Sequence, residues 1–395
     1  MTVPGRSDLL GARDRALAFA ERQGIATYDP YDYKGAPTVM ALHRMGSPGK
    51  LLLKLVYASV FVAPFGARRL LGVRKQASAG GVAHLVSAYL AMGEVDKART
   101  LLPWLIEHRA KTEVGAGWGL PFGWQSGVAT VPAETAIGHT TMAVGNAFLS
   151  AYRACEDGEM LAWAVKACEW LTHGLHQSKV GDGIALSYTP LDDSRCVNSN
   201  ADIASLLVRV GVASGREDFI QVGRQIARFV VEAQNPDGSW NYLAGKSSGP
   251  GSIIDGYHTA MTLTGVQQVA WSLYDESAAE AYRRGLAFYL DRLFAPDGSP
   301  VFATTMEWPV DIYACAQGMV TLADGANDPN IPSDLRSRSA ETALRLAAFT
   351  VAKMQSRDGS FLYRRYPMGV MRLGSLRWAQ ALTILGLTRA ADLTK

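Results

Sequence analysis

The side chains best suited to chemistry in this chain are aromatic, acidic, basic and amide residues that recur in short polar segments between apolar stretches. Aromatic rings stack on the C–H faces of sugars, while carboxylates and amides bind sugar hydroxyl groups. We therefore interpret these segments as the inventory of a carbohydrate site, with one cluster in each successive unit of the chain. The clusters are Asp29, Tyr31 and Asp32; Trp124, Gln125, Glu134 and His139; Tyr188, Asp192, Asn198, Asn200 and Asp202; Asp255, Tyr257 and His258; Glu307, Asp311 and Tyr313; and Arg364, Arg365, Tyr366, Arg377 and Trp378.

Arginines dominate the last cluster, and they indicate an acidic ligand. The guanidinium groups of Arg364, Arg365 and Arg377 can each hold a uronate carboxylate through two parallel hydrogen bonds. The alternative for the adjacent pair Arg364 and Arg365 is a solvated rim with no ligand.

Several of the polar residues also have purely structural interpretations. Asp255 is in the right place to cap a helix that begins near Tyr257, and His258 is compatible with a core histidine. Glu307 and Asp311 precede a helix and would complement its dipole. These alternatives stay open at the level of sequence, and the recurrence of the clusters in successive units favours a site.

Neither a metal nor a cofactor is predicted. The four cysteines form no CxxC pair and no Cys/His set with zinc spacing. Asn198, Asn200 and Asp202 alternate as in a calcium loop, but they lack the glycine and distal glutamate of an EF-hand. We expect helix capping there.

Composition excludes several classes of protein. The 395 residues are 48% apolar and 19% charged, which is enough apolar material for a large core and excludes a disordered chain. The net charge of +3 argues against a nucleic-acid-binding protein. The N-terminus lacks the apolar segment of a secretory signal, so a cytoplasmic location is expected.

One stretch departs strongly from this average. Residues 33–93 contain no acidic residue, although eight basic residues lie within them. The segment Leu51–Gly72 is also apolar, but its longest charge-free run, from Leu55 to Ala67, is too short to span a bilayer. It is typical either of an interfacial helix on an anionic membrane, at the inner face, or of an ordinary core helix. The residues expected to contact the membrane are Lys50, Lys54, Arg68, Arg69, Arg74 and Lys75.

Apolar residues at helical spacing occur along most of the chain, and an internal repeat organises them. The repeat is a helix that ends in Asp-Gly, followed by a short extended aromatic segment. Its turn glycines are Gly183, Gly238, Gly298 and Gly359, at steps of 55, 60 and 61 residues. Asp-Gly is suited to a turn with positive φ.

A step of about 60 residues accommodates two helices and their connections. Five such units plus the N-terminal segment predict an all-α fold, an (α/α)6 toroid of about six helical hairpins with short extended segments at the turns. Residues 1–395 would form one domain that includes the basic segment 33–93. An open helical solenoid is the alternative.

The string Gln234–Trp240, with Asp-Gly-Ser-Trp at its end, resembles the repeat of triterpene cyclases and protein prenyltransferases. In those families the repeat braces helices. The Asp-x-Asp-Asp acid motif of the cyclases is missing, and the chain has no Asp, Cys and His trio with the spacing of the prenyltransferase zinc site.

Two further resemblances point to glycans. The string Ile254–Thr259 resembles the Trp-Asp-Tyr-His-Thr motif of D-glucuronyl C5-epimerases, with Gly256 inserted, and implies an active-site tyrosine at Tyr257. The chain also resembles uncharacterised proteins found with bacterial polysaccharide-biosynthesis genes, which implies a glycan-related role. The matching strings are Tyr28–Asp32, Trp124–Ser126, Ser187–Asp192, Trp308–Tyr313 and Leu376–Gln380.

The leading hypothesis is therefore an enzyme resembling uronosyl C5-epimerases, acting on a glycan or a lipid-linked glycan. Such a reaction needs two proton-transfer groups on opposite faces of the sugar and a cation on the carboxylate. The motif match makes Tyr257 the first choice for one group, with Tyr188, Tyr313 or Tyr363 for the other. The predicted catalytic set is Tyr257, Asp255, His258, Glu307, Asp311 and Tyr188. The residues expected to bind substrate are Asp29, Tyr31, Asp32, Trp124, Gln125, Glu134, His139, Tyr313, Arg364, Arg365, Arg377 and Trp378.

Other functions remain open on the same residues. A polysaccharide lyase would begin with the same proton abstraction. A glycoside hydrolase would use two carboxylates among Glu134, Asp255, Glu307 and Asp311. A terpenoid cyclase-like or prenyltransferase-like enzyme and a glycan-binding toroid without catalysis complete the alternatives.

Overall fold

The computed structural model describes residues 5–125, 130–246 and 248–394. Within these residues the chain is mainly helical, with strands of two to four residues at the connections. The helices are α1 (Arg6–Gln23), α2 (Pro37–Arg44), α3 (Ser47–Val62), α4 (Pro64–Leu70), α5 (Ala79–Ala91), α6 (Val95–Glu107), α7 (Gly138–Cys155), α8 (Gly158–His173), α9 (Val197–Ser214), α10 (Glu217–Glu232), α11 (Gly256–Leu273), α12 (Glu276–Arg292), α13 (Ile312–Ala326), α14 (Ser333–Phe349) and α15 (Ala381–Asp392).

The short strands pair only locally and antiparallel. The first six form three two-stranded ribbons and the last three form one small sheet in the order β7-β8-β9. The strands are β1 (Ala26–Thr27), β2 (Gln76–Ala77), β3 (Trp124–Gln125), β4 (Thr130–Val131), β5 (Gln177–Val180), β6 (Gly183–Leu186), β7 (Val310–Asp311), β8 (Arg364–Tyr366) and β9 (Gly369–Met371).

The helices form two concentric rings. Helices α5, α7, α9, α11, α13 and α15 pack side by side, and α15 returns to contact α5, so the inner ring is closed. Helices α6, α8, α10, α12 and α14 each pack outside the inner helix that precedes them. The inner helices are apolar on most sides because they touch both neighbours and an outer helix. The predicted all-α toroid of helical hairpins is confirmed.

The two ends of the chain build the sixth hairpin together. Helix α1 packs outside α15, so the first helix completes the pair begun by the last one. Leu9, Ala12 and Ala16 of α1 are fully buried in this contact region. The ring therefore depends on an association between residues more than 300 positions apart.

The Asp-Gly turns brace successive outer helices. Gly238, Gly298 and Gly359 have φ values of +91°, +87° and +94°, which only glycine adopts readily. A Cβ on each would lie 2.3 to 2.7 Å from a backbone oxygen of the next outer helix. Those oxygens belong to Arg284 of α12, Arg345 of α14 and Arg15 of α1.

The earlier, weaker copy of the turn differs from its prediction. The positive φ falls on Gly181, at +56°, in the tight connection between β5 and β6. Gly183 instead lies in β6, where a Cβ would collide with the backbone of α10 at Phe229. This unit therefore makes a β-hairpin where the later units make a braced turn.

Helices α2, α3 and α4 are inserted between the first outer helix and the first inner one. They have a small core of their own, made by Ala36, Val39 and Leu53. The prediction that Arg68 contacts a membrane is wrong, because this side chain is fully buried. Its Nε donates to Asp32 Oδ1 at 2.7 Å, and its Nη2 donates to the Asp29 carbonyl at 2.8 Å.

Candidate active site

The inner helices all begin at the same end of the toroid, because an outer helix runs back to that end after each of α5, α7, α9, α11 and α13. Two of these N-termini are capped by side chains of the candidate site. Asp255 accepts a hydrogen bond from the His258 amide at 2.9 Å, and Asp311 accepts one from the Tyr313 amide at 2.9 Å. The predicted capping role of Asp255 is therefore present, and its second oxygen contacts the His258 side chain. Converging helix N-termini also favour an anionic ligand at this end.

An aromatic group lies where these N-termini meet, with Trp378 at its centre. Its ring centroid is 4.8 Å from Tyr313, 5.3 Å from Tyr31, 5.8 Å from Tyr257 and 6.1 Å from Tyr363. Most of these pairs are edge-to-face, the arrangement that aromatic quadrupoles favour. The rings thus form a rigid aromatic wall, in which Trp378, Tyr313 and Tyr363 are buried.

Two ion pairs flank the aromatic wall. Arg377 donates to both carboxylate oxygens of Asp29, at 2.7 and 2.9 Å. Arg364 donates through Nε to Asp311 at 2.7 Å, and the other oxygen of Asp311 accepts from Trp378 Nε1 at 2.9 Å. The Nη groups of Arg364 have no partner among the described residues, so they remain available to a ligand.

Three histidines approach this group from three inner helices. Burial, with a smaller contribution from Arg377, lowers the pKa of His84 to about 4. Burial also lowers the pKa of His139 to about 3, and the nearby His84, Arg377 and His258 add to that shift. Both imidazoles are therefore neutral at pH 7, and neither has a hydrogen-bond partner in the described part of the chain.

His258 has a different environment. Its Nδ1 lies 2.6 Å from Asp255 Oδ2, and its ring centroid is 3.9 Å from that of Tyr257. The side chain is 20% exposed. An Nδ1–H donated to the carboxylate leaves Nε2 as the free nitrogen, as in other His–Asp pairs.

The tyrosines of this region keep their protons. Burial raises the pKa of Tyr257 well above its ordinary value, and the charges of Asp255 and Asp311 add to the shift. Burial likewise raises the pKa of Tyr31, Tyr188 and Tyr313. These hydroxyls are therefore suited to donating hydrogen bonds and unsuited to removing a proton.

We refer to the residues brought together here as the central cluster. Eleven of its members come from the sequence-predicted set, and Tyr363 was an alternative for the second proton-transfer group. Tyr188 lies at its edge, 6.3 Å from Trp124 between ring centroids. The central cluster is Asp29, Tyr31, His84, His139, Asp255, Tyr257, His258, Asp311, Tyr313, Tyr363, Arg364, Arg377 and Trp378.

Other predicted residues lie outside the central cluster. Glu134 and Glu307 are exposed and make no ion pair in the described ranges. Arg365 pairs through its backbone with Val310 and is half-buried. Asp32 is bound to Arg68, and Gln125 accepts a hydrogen bond from Thr130. Ser126, at the end of one resemblance string, lies outside the described residues.

His84 is the residue that sequence reasoning missed. It lies inside the apolar helix α5, where a single histidine looks like a residue of the hydrophobic core. The available signal was the preceding pair Gly80 and Gly81, since a Cβ at Gly81 would meet the Arg377 backbone at 3.0 Å. That close approach joins α5 to the start of α15 and places His84 beside the cluster.

These features define an α/α-toroid protein whose inner-helix N-termini surround an aromatic and cationic cluster. No protein-family model and no curated protein matches the chain. Solved structures do match, at identities that show the fold alone. The cellobiose 2-epimerase of Bacillus thermoamylovorans aligns with a TM-score of 0.62 and 10% identity, covering 80% of this chain and 87% of that one.

Two further structures align comparably. The GH76 α-mannanase of Bacteroides thetaiotaomicron has a TM-score of 0.61 and 12% identity, covering 80% of this chain and 86% of that one. The cellobiose 2-epimerase of Spirochaeta thermophila has a TM-score of 0.60 and 14% identity, with coverages of 80% and 85%. The fold is thus one shared by sugar epimerases and glycoside hydrolases.

Proposed function

We propose that this protein is a carbohydrate-active enzyme that epimerises a sugar carbon by proton transfer, with a uronate-containing glycan as its substrate. The observation that carries the proposal is a pair of imidazoles in opposed surroundings beside arginine guanidiniums. His139 is kept neutral by burial and by cations, whereas His258 has a carboxylate partner at 2.6 Å. Groups whose environments differ in this way are suited to different roles in one reaction.

The proposed reaction begins at the carbon next to the uronate carboxylate. Nε2 of His258 accepts the proton as that C–H bond breaks, while Asp255 holds the Nδ1–H. The electron pair moves onto the carboxylate as an enolate-like anion, to which the neutral His139 donates a hydrogen bond. The hydroxyl of Tyr313, which keeps its proton because of burial, then gives that proton to the opposite face and forms the new C–H bond, and the tyrosinate regains a proton from solvent. In this scheme Tyr257 donates a hydrogen bond to the sugar, since its pKa is too high for a base.

Recognition of the carboxylate falls to the arginines. The Nη groups of Arg364 have no other partner among the described residues, and its side chain is 20% exposed. A carboxylate bound there would gain charge-assisted hydrogen bonds that strengthen as the negative charge grows in the transition state. The converging helix N-termini act in the same direction. The proposed substrate includes glycans that are linked to a lipid.

The decisive experiment is incubation in D2O with glucuronate-containing polymers. We expect solvent deuterium at C5 and a mixture of C5 epimers. Absence of deuterium at C5 across several uronate polymers would overturn the uronate assignment, and exchange at C2 of cellobiose would replace it with a reducing-sugar substrate. An unsaturated product would assign a lyase.

Two substitutions test the residues. His258→Asn should reduce exchange by about 10²- to 10⁴-fold, the usual contribution of a proton-transfer group. His139→Asn should reduce it by about 10²- to 10³-fold, the usual contribution of a hydrogen-bond donor to a developing anion. His173→Asn is the matched control, because His173 is exposed at the end of α8. Exchange that survives both cluster substitutions would remove the imidazoles from the mechanism.

A glycoside hydrolase is the second candidate, and the carboxyl group of Asp202 favours it. Burial raises the pKa of Asp202 well above its ordinary value, and its Oδ2 has no hydrogen-bond partner in the described residues. A carboxyl that keeps its proton is suited to protonating a leaving group. Release of reducing ends that is lost in Asp202→Asn, without deuterium exchange, would assign this function instead.

A further inference from the structure

Helices α3 and α4 expose an apolar face. Leu51, Leu55 and Val62 are 65%, 64% and 80% exposed, and they lie at the spacing i, i+4, i+11, so they share one side of α3. Leu70, in the last turn of α4, is 92% exposed. A stripe of eleven residues along a helix is about 16 Å long. We call this surface the α3–α4 face.

The opposite side of α3 is already occupied by packing. Leu53 and Val60 are buried, and they face away from Leu51 and Leu55 around the helix. A surface helix of a globular protein normally has one apolar stripe and a polar outer face. Helix α3 is apolar on both sides, and an exposed apolar surface of this kind marks an interaction site.

The charges around the α3–α4 face have one sign. Residues 33–93 contain no acidic residue, so nothing in this segment offsets its basic side chains. The five exposed cations among the six predicted membrane contacts are Lys50, Lys54, Arg69, Arg74 and Lys75.

We propose that the α3–α4 face binds peripherally to the surface of an anionic lipid bilayer. Apolar residues would enter the boundary between headgroups and acyl chains, while the lysines and arginines contact lipid phosphates. None of the helices in the described residues is long and apolar enough to cross a membrane. The attachment we propose is therefore to one leaflet.

The charge pattern decides between a membrane and a second copy of this chain. Most homodimers are two-fold symmetric, so the same patch meets itself across the interface. Pairing through α3 would bring the basic residues of two copies into one interface, with no acidic residue of the segment to neutralise them. An anionic lipid surface neutralises the same charges.

The α3–α4 face also touches the segment that carries part of the central cluster. The Phe61 ring lies 4.9 Å from that of Tyr366, in the strand β8 that begins at Arg364. A glycan built on a lipid carrier would thus be presented near the cluster, a consequence that rests on the proposed function. The membrane binding itself does not, and it is measured without sugar.

The test is co-sedimentation of the full chain with vesicles of phosphatidylcholine alone and with 30% phosphatidylglycerol, the second lipid supplying the negative charge. We expect binding only with phosphatidylglycerol, decreasing as salt rises. Lys50→Gln, Lys54→Gln and Arg69→Gln combined should lower the partition coefficient by about 10²-fold. The control carries Lys179→Gln, Arg228→Gln and Arg357→Gln, three exposed cations elsewhere that make no ion pair in the described part of the chain.

The apolar contribution is tested separately by combining Leu51→Ser, Leu55→Ser and Leu70→Ser. These residues are exposed, so the folded chain should tolerate the change, and binding should fall. The control combines Leu191→Ser and Val212→Ser, which are exposed elsewhere. Absence of binding to anionic vesicles at low salt would overturn the proposal, and so would dimerisation in light scattering that the serine variant abolishes.

Discussion

At the scale of single residues, the central cluster balances its charges in pairs. Asp29 neutralises Arg377, and Asp311 neutralises Arg364, so the buried guanidiniums are held in fixed positions. This arrangement leaves His84 and His139 as neutral imidazoles, and burial is the main reason for their low pKa values. The two carboxylates are thus bound to guanidiniums, and the two buried imidazoles carry no charge at pH 7.

The histidine pKa values predict how stability depends on pH. An unfolded imidazole has a pKa near 6.5, whereas that of folded His84 is about 4. Between these values the unfolded chain binds a proton that the folded chain does not, so the free energy of unfolding falls as the pH is lowered. Between pH 7 and pH 5, thermal unfolding should therefore show a smaller loss of stability for His84→Asn than for the unsubstituted protein.

The control for this measurement is His173→Asn, at an exposed histidine. Its loss between the two pH values should equal that of the unsubstituted protein. If His84→Asn behaves the same way, His84 is protonated in the folded state at pH 5, and its low pKa is contradicted.

At the scale of elements, each Asp-Gly turn follows one outer helix and packs against the next one. In each turn the aspartate accepts hydrogen bonds from the following serine, as Asp237 does from Ser239 at 3.0 Å and 2.7 Å. The glutamine that opens the motif donates to the same neighbouring helix, as Gln234 does to the Ala281 carbonyl at 2.8 Å. Gln355 repeats this contact with Ala12, which ties the last turn to α1.

Gly238→Ala should therefore lower the free energy of unfolding by more than the cost of placing an alanine at positive φ. The new Cβ would lie 2.6 Å from the Arg284 carbonyl oxygen, so α12 must shift. Gly93→Ala is the matched control, because Gly93 has φ of +79° with open space around it. An alanine in a left-handed conformation costs about 1–2 kcal/mol, which the two variants share.

Urea unfolding measures the difference between these two variants. We expect Gly238→Ala to lose clearly more free energy of unfolding than Gly93→Ala, with the excess due to the collision. Equal losses would show that the turn does not bear on the neighbouring helix.

At the scale of the whole molecule, two long-range connections hold the toroid and the cluster together. The ring closes where α1 packs on α15, and a chain of contacts runs from Arg68 through Asp32 and Asp29 to Arg377. That chain links the helices of the α3–α4 face to the start of α15. Both connections join residues far apart in the sequence.

Because the ring closes through α1, a core substitution close to the N-terminus should lower the free energy of unfolding strongly. Leu9 is fully buried, so Leu9→Ala should lower the free energy of unfolding by about 2–5 kcal/mol, the usual cost of a cavity in a core. Leu51→Ala, at a residue 65% exposed, should change it by about 0.5 kcal/mol or less. A small effect at Leu9 would mean that α1 is dispensable for the ring.

Local patterns made the toroid predictable. The helical spacing of apolar residues and the Asp-Gly turns at Gly238, Gly298 and Gly359 depend on neighbours within a few positions, so they can be read along the chain. Their step of about 60 residues then required hairpins, and the resulting fold is confirmed. Asp255, Tyr257 and Asp311 were predicted together because they precede inner helices, whose N-termini must meet in a ring.

The sequence by itself therefore determined the hairpins and their order, and it predicted the end of the ring at which a site would form. Only the tertiary structure decided that α1 pairs with α15, that His84 joins the cluster and that Asp29 binds Arg377, 348 positions away. It also separated buried Arg68 from its exposed neighbour Arg69, two residues with the same chemistry. The physical reason is that burial and ion pairing depend on what packs against a side chain from distant parts of the chain, which no local pattern contains.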